Sequence, residues 1–405
     1  MHTPKHIAII GGGPAGLRAA EIIASAGHRV TIYDRMPSVG RKFLMAGRGG
    51  LNLTHSEPLD TFLTRYGDAA EWLAPHIHAF PPDALRTWCE GLGQETFVGS
   101  SGRIFPRSMK AAPLLRAWLA RLTALGVQFA PRHHWQGYED DALVFTNANH
   151  ERVLVHPDAT LLALGGASWP RLGSDGSWVT ILAQCGVAIA PLQPANCGFT
   201  VEWSLHMARF AGEPLKHVTL SHRNIAQQGE VMITAQGIEG GAIYALSAPL
   251  REAIAINGST ILTLDLRPGM THTALTEKLR AQPRANKSLS TYLRKAGFSS
   301  LAIALLRECT TPEQLAHATP DILATHLKSL PLILTGTTGM ARAISTAGGI
   351  HKIALTDGFM LRKKPGTFAT GEMLNWEAPT GGYLLQACLS TATTTAHAML
   401  EYLKK

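Results

Sequence analysis

The sequence predicts an α/β fold whose main domain is discontinuous because a second domain is inserted into it. Residues 7–34 alternate a short apolar strand, a glycine-rich turn, a helix and a second strand. Apolar strands that run into glycines recur at 160–166 and at 367–382. The chain between 191 and 343 differs, with alternating strand patterns first and short helices after them. We therefore expect 1–190 and 344–405 to form one domain and 191–343 another.

Length and composition limit the possible classes of protein. With 405 residues, 45% of them hydrophobic and 16% charged, the chain is typical of a globular protein with two or three domains. It lacks a signal peptide's apolar region and any apolar run of membrane-spanning length, so we expect a cytoplasmic protein without a membrane partner. Its five scattered cysteines form no Cys-x-x-Cys pair, which argues against a disulfide framework, a metal site or a dithiol centre.

The formal net charge is +8. A basic excess is compatible with nucleic acid, with a phosphate-bearing cofactor or with no specific partner. Basic residues are spread along the chain, and the densest run, at 362–364, has no interleaved aromatic residues. We therefore expect a solvated basic surface and no stable nucleic-acid partner.

The amino-terminal unit carries a dinucleotide-binding signature. Gly11, Gly13 and Gly16 form a Gly-x-Gly-x-x-Gly turn between the first strand and a helix. The first glycine permits a tight turn, the second lets backbone N–H groups approach a pyrophosphate, and the third lets the helix pack on the strand. Asp34 closes the second strand and is expected to accept hydrogen bonds from a ribose. The predicted contacts of this half are Gly11, Gly13, Pro14, Ala15, Gly16, Asp34 and Arg35.

The stretch KFLMAGRGGLNLT at 42–54 bears on which dinucleotide is bound, because NAD and FAD share the ADP half. It contains three glycines and shows little periodicity of a helix or a strand. A nicotinamide enzyme more often continues here into a second crossover helix, whereas a long glycine-rich excursion suits a larger ligand. The residues expected to contact phosphate, ribityl or ring oxygens are Gly40, Arg41, Lys42, Arg48, Gly49 and Asn52.

Two later stretches complete a predicted flavin site. An apolar strand at 160–164 ends in Gly165 and Gly166, where two backbones can cross. Glu372 follows the strand at 367–370 and can hold a ribityl hydroxyl, while the helix that starts at 380–382 can aim its positive end at a flavin. The cofactor is therefore predicted to be non-covalent FAD. The further predicted contacts are Trp135, Ala163, Leu164, Gly165, Gly166, Gly371, Glu372, Gly381, Gly382, Tyr383 and Leu384.

These stretches belong to a longer set of motifs by which the sequence resembles the HI0933-like flavoproteins. The motifs are GGGPAG at 11–16, GRKFLMAGRGGLNLT at 40–54, GRIFPRSMKA at 102–111, LLALGGASWPRLGSDG at 161–176, GEVMITAQGIEGGAIYALS at 229–247, STAGGI at 345–350 and GEMLNWEAPTGGYLLQ at 371–386. The resemblance implies a cytosolic FAD-dependent oxidoreductase with a Rossmann-like FAD domain of the two-dinucleotide-binding type. It also implies that 40–54 wraps the flavin and that the inserted substrate or cap domain is β-barrel-like over 191–268 and helical over 269–343.

The reaction is less constrained than the cofactor. No second Gly-x-Gly-x-x-Gly occurs, so NAD(P)H, if it is the electron donor, is expected to dock transiently at the flavin. We favour an FAD-dependent oxidoreductase acting on a small organic substrate. An FAD oxidase that uses dioxygen on a small amine or carbonyl compound, and a flavin-binding protein that interacts with or modifies RNA, are the alternatives. The oligomeric state is left open, and the candidate catalytic residues are Arg48, Asn52, Tyr383 and His351.

Overall fold

The computed structural model describes residues 3–47, 49–282 and 287–404. The chain forms two compact units, of which the first comprises 1–193 and 345–405 and the second comprises 194–344. Each unit has buried hydrophobic clusters of its own. The first unit is thus assembled from both ends of the chain, and the second is one continuous segment.

In the first unit strands and helices alternate along the chain, whereas in the second unit most strands come before most helices. The strands are β1 (His6–Ile10), β2 (Arg29–Asp34), β3 (Thr54–His55), β4 (Thr96–Val98), β5 (Arg103–Pro106), β6 (Gln128–Pro131), β7 (His134–Glu139), β8 (Ala142–Thr146), β9 (Arg152–Val155), β10 (Ala159–Leu162), β11 (Ile189–Ala195), β12 (Phe199–Thr200), β13 (Pro214–His222), β14 (Ile225–Thr234), β15 (Gly237–Glu239), β16 (Thr260–Asp265), β17 (Leu330–Leu334), β18 (Gly336–Thr337), β19 (Ser345–Ile350) and β20 (Thr367–Ala369). The helices are α1 (Pro14–Ser25), α2 (Arg41–Ala46), α3 (Leu59–Thr64), α4 (Ala70–Ala79), α5 (Pro82–Glu90), α6 (Ala111–Ala124), α7 (Trp178–Gln184), α8 (Gly241–Tyr244), α9 (Ser247–Asn257), α10 (His272–Arg280), α11 (Leu289–Lys295), α12 (Ser300–Glu308), α13 (Pro312–Ala316), α14 (Pro320–Lys328) and α15 (Tyr383–Tyr402).

The main sheet of the first unit has the strand order β20-β10-β1-β2-β6, and all its neighbouring strands run parallel. The central strand β1 reads HIAII, and its last four residues are buried, as a strand covered on both faces requires. Since β2 and β10 lie on opposite sides of β1, the chain changes direction there and leaves a crevice at the carboxyl ends of the strands. This is the Rossmann-type arrangement that the sequence predicts.

The helices α1 and α15 pack against each other beside this sheet. Helix α1 begins with Pro14, whose fixed φ and missing N–H suit the first helical turn. Many of the buried positions of α15 are small, among them Ala387, Ala392 and Ala396, which lets the two helix backbones approach closely. Because α15 comes from the carboxyl-terminal segment, this contact joins the two ends of the chain around the first glycine-rich turn.

The second unit is built on an antiparallel sheet with the order β17-β16-β13-β14-β15-β12-β18. Its edge strands β17 and β18 are consecutive in the chain, separated by Thr335 alone, so the sheet curls back on itself. Within the described residues no ladder joins β17 to β18, and the expected β-barrel-like form of this segment is not confirmed. Helices α8 and α9 also fall within 191–268, before the segment expected to be helical.

One local expectation is wrong. Residues 42–54 do not form a wholly irregular loop, because Arg41–Ala46 form helix α2. Gly40, in a left-handed conformation with φ of 71°, turns the chain into this helix, and the six residues that follow are mostly good helix formers. The glycine-rich excursion is therefore shorter than predicted. Across the described residues, no helix is long and apolar enough to cross a membrane.

Candidate functional site

A cleft of about 970 Å³, part of it open to solvent, lies at the carboxyl edge of the main sheet. Residues at the end of each of its five strands, or within two positions after it, line the cleft. The predicted contacts that line it are Gly11, Gly13, Pro14, Ala15, Asp34, Arg35, Gly40, Arg41, Lys42, Trp135, Ala163, Leu164, Gly165 and Glu372. The lining residues that we did not predict are Ile10, Gly12, Tyr33, Ser38, His133, His134, Leu172, Gly173, Ser174, Asp175, Ser177, Trp178, Thr370 and Cys388.

The three glycines of the first turn have different steric surroundings. A Cβ on Gly11 would overlap the carbonyl oxygen of Ala163, and φ of +109° at Gly11 is a conformation that other residues rarely adopt. A Cβ on Gly16 would overlap the carbonyl oxygen of Gly11. A Cβ on Gly13 would meet no protein atom within 4 Å. Gly11 and Gly16 are therefore required by packing, whereas Gly13 leaves space open at the start of α1.

Asp34 is held by backbone groups at the end of β2. One carboxylate oxygen accepts a hydrogen bond from Gly12 N at 2.8 Å, and the other accepts one from Met36 N at 2.8 Å. Burial is the largest influence on the carboxyl and raises its pKa, against these two hydrogen bonds. Each oxygen keeps a second lone pair, so the carboxylate remains able to accept from a ribose hydroxyl. The neighbouring Arg35 pairs with Asp175 and so closes one wall of the cleft.

A partly buried ion pair between two residues of the cleft lining links the two ends of the chain. Lys42 Nζ donates to Glu372 Oε2 at 2.7 Å and to Ser168 Oγ at 2.7 Å. Glu372 Oε1 also accepts from the backbone N of Thr346 at 3.0 Å. The pair is only 28% and 12% exposed, so its charges are poorly screened by water. Lys42 is therefore a fixed cation at the cleft wall. Each carboxylate oxygen of Glu372 already accepts a hydrogen bond from the protein.

Several buried polar atoms of the cleft have no hydrogen-bond partner among the residues that the structure describes. They are Nε of Arg41, Nε1 of Trp135, Oγ of Ser174 and Oγ1 of Thr370. Buried polar groups without a partner are rare in native proteins and indicate a missing one. Cationic and neutral donors around the open space at Gly13 suit a polar ligand that carries phosphate groups. The residues present therefore fit the pyrophosphate and ribose of a dinucleotide.

On the predicted flavin wrap, two buried polar atoms have no hydrogen-bond partner within the described part of the chain, although neither residue lines the cleft. They are Oδ1 of Asn52 and Oγ1 of Thr54, and Thr54 is fully buried. A Cβ on Gly382, at the start of α15, would overlap the backbone of Thr54. The glycine thus lets the wrap and the amino-terminal end of α15 come into contact. Arg48, from the same stretch, lies outside the described residues.

Tyr383, the first residue of α15, points away from the cleft into a cluster beside β3. Its hydroxyl donates to Glu57 Oε1 at 2.6 Å, and Glu57 is also bound by Arg65 at 2.7 Å. The ring stacks on His55 with centroids 5.6 Å apart. Burial raises the pKa of Tyr383 well above its usual value, and the hydrogen bond to Glu57 adds to this. The phenol is therefore protonated at neutral pH and serves to tie α15 to β3.

The other candidate catalytic residue, His351, does not line the cleft either. It follows β19, and its Nδ1 lies 3.4 Å from Nδ2 of Asn375. The described predicted contacts that do not line the cleft are Gly16, Gly49, Asn52, Gly166, Gly371, Gly381, Gly382, Tyr383 and Leu384. Most of these belong to the predicted ring half of the flavin site, which thus remains a prediction. In the parts of the chain that the structure describes, no group of three or more His, Cys, Asp or Glu residues could hold a metal ion.

Two of the unpredicted cleft residues follow a strand whose neighbour only the tertiary structure reveals. His133 lies two residues after β6, which pairs with β2 beside Asp34, and His134 is the first residue of β7. Burial, followed by the charge of Arg35, lowers the pKa of His134, so its imidazole is neutral at pH 7. The position of both histidines after an apolar strand was the one available signal, because residues at the carboxyl ends of parallel strands meet at one edge.

The sheet order, the crevice beside β1 and the glycine-rich turn define a dinucleotide-binding α/β protein. The profile of the HI0933-like protein Rossmann domain matches residues 5–398. The chain therefore belongs to the HI0933-like family, and it is an FAD-dependent flavoprotein of the oxidoreductase class.

Curated relatives match over almost the whole chain. The 3-dehydro-bile acid delta(4,6)-reductase of Clostridium scindens is 26% identical over 422 residues, which cover 98% of this chain and 99% of that protein. The ribosomal RNA dihydrouridine synthase of Escherichia coli is 24% identical over 415 residues, 97% of each chain. The solved 3-ketosteroid delta1-dehydrogenase from Sterolibacterium denitrificans aligns with a TM-score of 0.55 and 10% identity, over 99% of this chain and 100% of that one. At that identity the structural likeness concerns the fold alone.

Proposed function

We propose that this protein is an FAD-dependent reductase that saturates a carbon–carbon double bond conjugated to a carbonyl group in a small organic molecule. The observation that carries the proposal is a chemistry shared by the two curated relatives that span nearly the whole chain. One name describes reduction at positions 4 and 6 of a 3-dehydro bile acid, and the other describes formation of dihydrouridine. In a 3-oxo-4,6-diene and in uridine alike, the reduced double bond is conjugated to a carbonyl.

Residues from both ends of the chain would hold the cofactor. The open space at Gly13 and the amino-terminal end of α1 suit the pyrophosphate, with Lys42 as a nearby fixed cation. Asp34 retains acceptor capacity for the adenosine ribose, and the unpartnered hydroxyl of Thr370 suits the ribityl chain. Bound FAD supplies hydride transfer, and the protein supplies position and electrostatic field.

Saturation of the double bond adds a hydride to the β carbon and a proton to the α carbon. Two electrons must therefore come from a donor, and we propose NAD(P)H in this role. The sequence contains a single Gly-x-Gly-x-x-Gly turn, so the donor would dock transiently rather than in a dinucleotide site of its own. We further propose that the second unit, 194–344, determines which substrate is accepted.

The test is an anaerobic reduction of the purified yellow holoprotein. NADH and NADPH are added separately, and bleaching of the flavin identifies the donor. Testosterone, which contains a conjugated enone, is then added to the reduced protein, with dihydrotestosterone as the matched saturated control; cyclohexenone and cyclohexanone form a second pair. Return of the yellow colour with the enones alone is expected. Equal return with the saturated ketones, or return only on admission of air, would contradict the proposal, and the second result would favour an oxidase.

A second candidate function is the reduction of uridine in RNA. It is favoured by the Escherichia coli relative, whose identity to this chain is only two percentage points below that of the bile acid reductase. Ribosomal RNA would be incubated with the protein and NADPH, digested to nucleosides and examined by mass spectrometry. A gain of two hydrogen atoms on uridine would establish this activity, and its absence alongside turnover of an enone would exclude it.

A further inference from the structure

We propose that the second unit carries a basic face that docks the phosphate backbone of a structured RNA. The face consists of Arg267, Lys278, Arg280, Arg294 and Lys295. The proposal goes beyond the reduction of a small enone and supplies a binding surface for the second candidate function, on which it rests, whereas the dispersed charges of the sequence predicted a solvated surface and no stable nucleic-acid partner. Its experiment measures RNA binding separately from flavin chemistry.

Contacts between α10 and α11 bring the carboxyl ends of the two helices together. The hydroxyl of Tyr292, in α11, donates to the carbonyl oxygen of Leu279, in α10, at 2.6 Å. Gln282 Nε2, just after α10, lies 3.3 Å from the carbonyl oxygen of Lys295, the last residue of α11. Arg280 and Lys295 are thereby placed on neighbouring helix ends, although fourteen other residues separate them in the chain.

The turn that follows α11 gathers two more cations. Arg267 donates to the carbonyl oxygen of Gly297, and its guanidinium lies 4.5 Å from the centre of the Phe298 ring. The ammonium of Lys278 would lie 3.9 Å from a Cβ placed on Gly297. Arg267, two residues after β16, and Lys278, in α10, therefore both lie beside the turn that follows α11.

The charge of this face is not neutralised within the described residues. None of its five cations forms an ion pair there, and residues 259–300 contain only two acids. Asp265 is one, and it is already paired with Lys328 at 2.7 Å. The other is Glu277. The helix dipole stabilises a cation in the last turn of a helix. It explains single cations at the end of α10 or of α11, but it does not explain why the cations of both helix ends lie close to Arg267.

The aromatic residues of the face determine which kind of RNA it suits. Tyr292 is 2% exposed and Phe298 is 4% exposed, so neither ring is available to stack on an unpaired base. Single-stranded RNA is bound largely through such stacking, whereas a duplex presents regularly spaced phosphates. A cluster of cations without exposed rings therefore fits the backbone of a folded RNA stem.

The test is fluorescence anisotropy of a labelled RNA hairpin with the holoprotein at several salt concentrations. The double variant Arg294→Gln, Lys295→Gln removes two cations from the face. The matched control is Arg362→Gln, Lys363→Gln, which removes two exposed cations from the first unit. We expect the face variant to weaken binding about tenfold and to lower the slope of log K against log salt by about 1.4–1.8, at 0.7–0.9 per lost phosphate contact. The control should leave both quantities nearly unchanged.

Three outcomes would overturn the proposal. They are no detectable binding of the hairpin by the unaltered protein, equal losses in the two variants, and equally tight binding of an unstructured RNA of the same length. FAD content, thermal melting and flavin reduction by NAD(P)H are measured for each variant, so that a folding defect is recognised. Because these flavin measurements do not involve RNA, a failure of the proposed reductase function would be distinguishable from a failure of the basic face.

Discussion

Replacement of Gly13 by alanine is expected to remove FAD from the protein without unfolding it. Gly13 has φ of −82° and ψ of −179°, which any residue adopts, and a Cβ there would meet no protein atom within 4 Å. The folded chain therefore has room for the methyl group. If the pyrophosphate occupies this space, the methyl group excludes it from the amino-terminal end of α1.

Gly13→Ala should reduce the stability of the protein much less than it reduces the affinity for FAD. Gly13 is the N-cap of α1, and alanine at an N-cap costs about 1 kcal/mol relative to the better residues, which lowers the melting temperature of a unit of this size by about 2–4 °C. Loss of two charge-assisted hydrogen bonds to the pyrophosphate, at about 1.5–3 kcal/mol each, would weaken FAD binding by about 100-fold to 10⁴-fold.

The matched variant is Gly16→Ala, in which the added methyl group would overlap the carbonyl oxygen of Gly11. We expect it to destabilise the cofactor-free protein by about 1–3 kcal/mol, as overpacking does. Flavin absorbance per protein after gel filtration measures FAD content, and thermal melting of the cofactor-free forms measures stability. A Gly13→Ala protein that keeps its full FAD content would refute the pyrophosphate assignment. One that unfolds like Gly16→Ala would refute the steric argument.

Three further predictions concern buried ionisable groups. The carboxylate of Glu21 accepts hydrogen bonds from the indoles of Trp88 and Trp118 at 3.0 and 2.9 Å and from Arg121 at 2.9 Å. Glu21→Ala should therefore lower the free energy of unfolding by about 3–5 kcal/mol, and Glu21→Gln should lower it by less. Equal losses of the two variants in urea denaturation would count against this. Because burial raises the pKa of Asp34, its contribution to stability is present below its usual pKa of 3.8 and is lost as pH rises through the folded value. Cofactor-free Asp34→Asn should therefore gain stability relative to the unaltered protein as pH rises, and a pH-independent difference would disprove the reasoning. Burial raises the pKa of the thiols of Cys89, Cys309 and Cys388 to about 12. At pH 8 a disulfide reagent should therefore modify these thiols only after the protein unfolds. Rapid labelling of any of the three in the native protein would contradict this.

The positions of the residues expected to contact the ADP half were predictable because they depend on short-range geometry. The spacing of Gly11, Gly13 and Gly16 places all three in one turn, and Asp34 ends the next strand of the same unit. By contrast, the helical state of Arg41–Ala46 was missed because glycines later in the stretch obscured a segment in which five of six residues are good helix formers. The local composition of these six residues favours a helix, whereas the glycines that follow them favour a loop.

The cleft wall formed by His133, His134 and Asp175 could not be predicted from local patterns. The two histidines reach the cleft because β6 pairs with β2, and Asp175 reaches it through its ion pair with Arg35. Nothing in a single sequence states which strand lies beside which. The free energy that selects one pairing comes from burial of whole strands and helices, not from the residues that end up at the edge.

The sequence by itself determined the glycine-rich turn, the alternation of strands and helices around it and the motifs of a flavoprotein family, since these lie in residues close together in the chain. Only the tertiary structure decided which distant charges meet. Lys42 binds Glu372 across 330 positions of sequence, and Arg267 comes beside Lys278 only because the turn after α11 packs between them. Periodicity and turn geometry act within a few residues, whereas ion pairs and charged faces form wherever the packing of the core brings segments together.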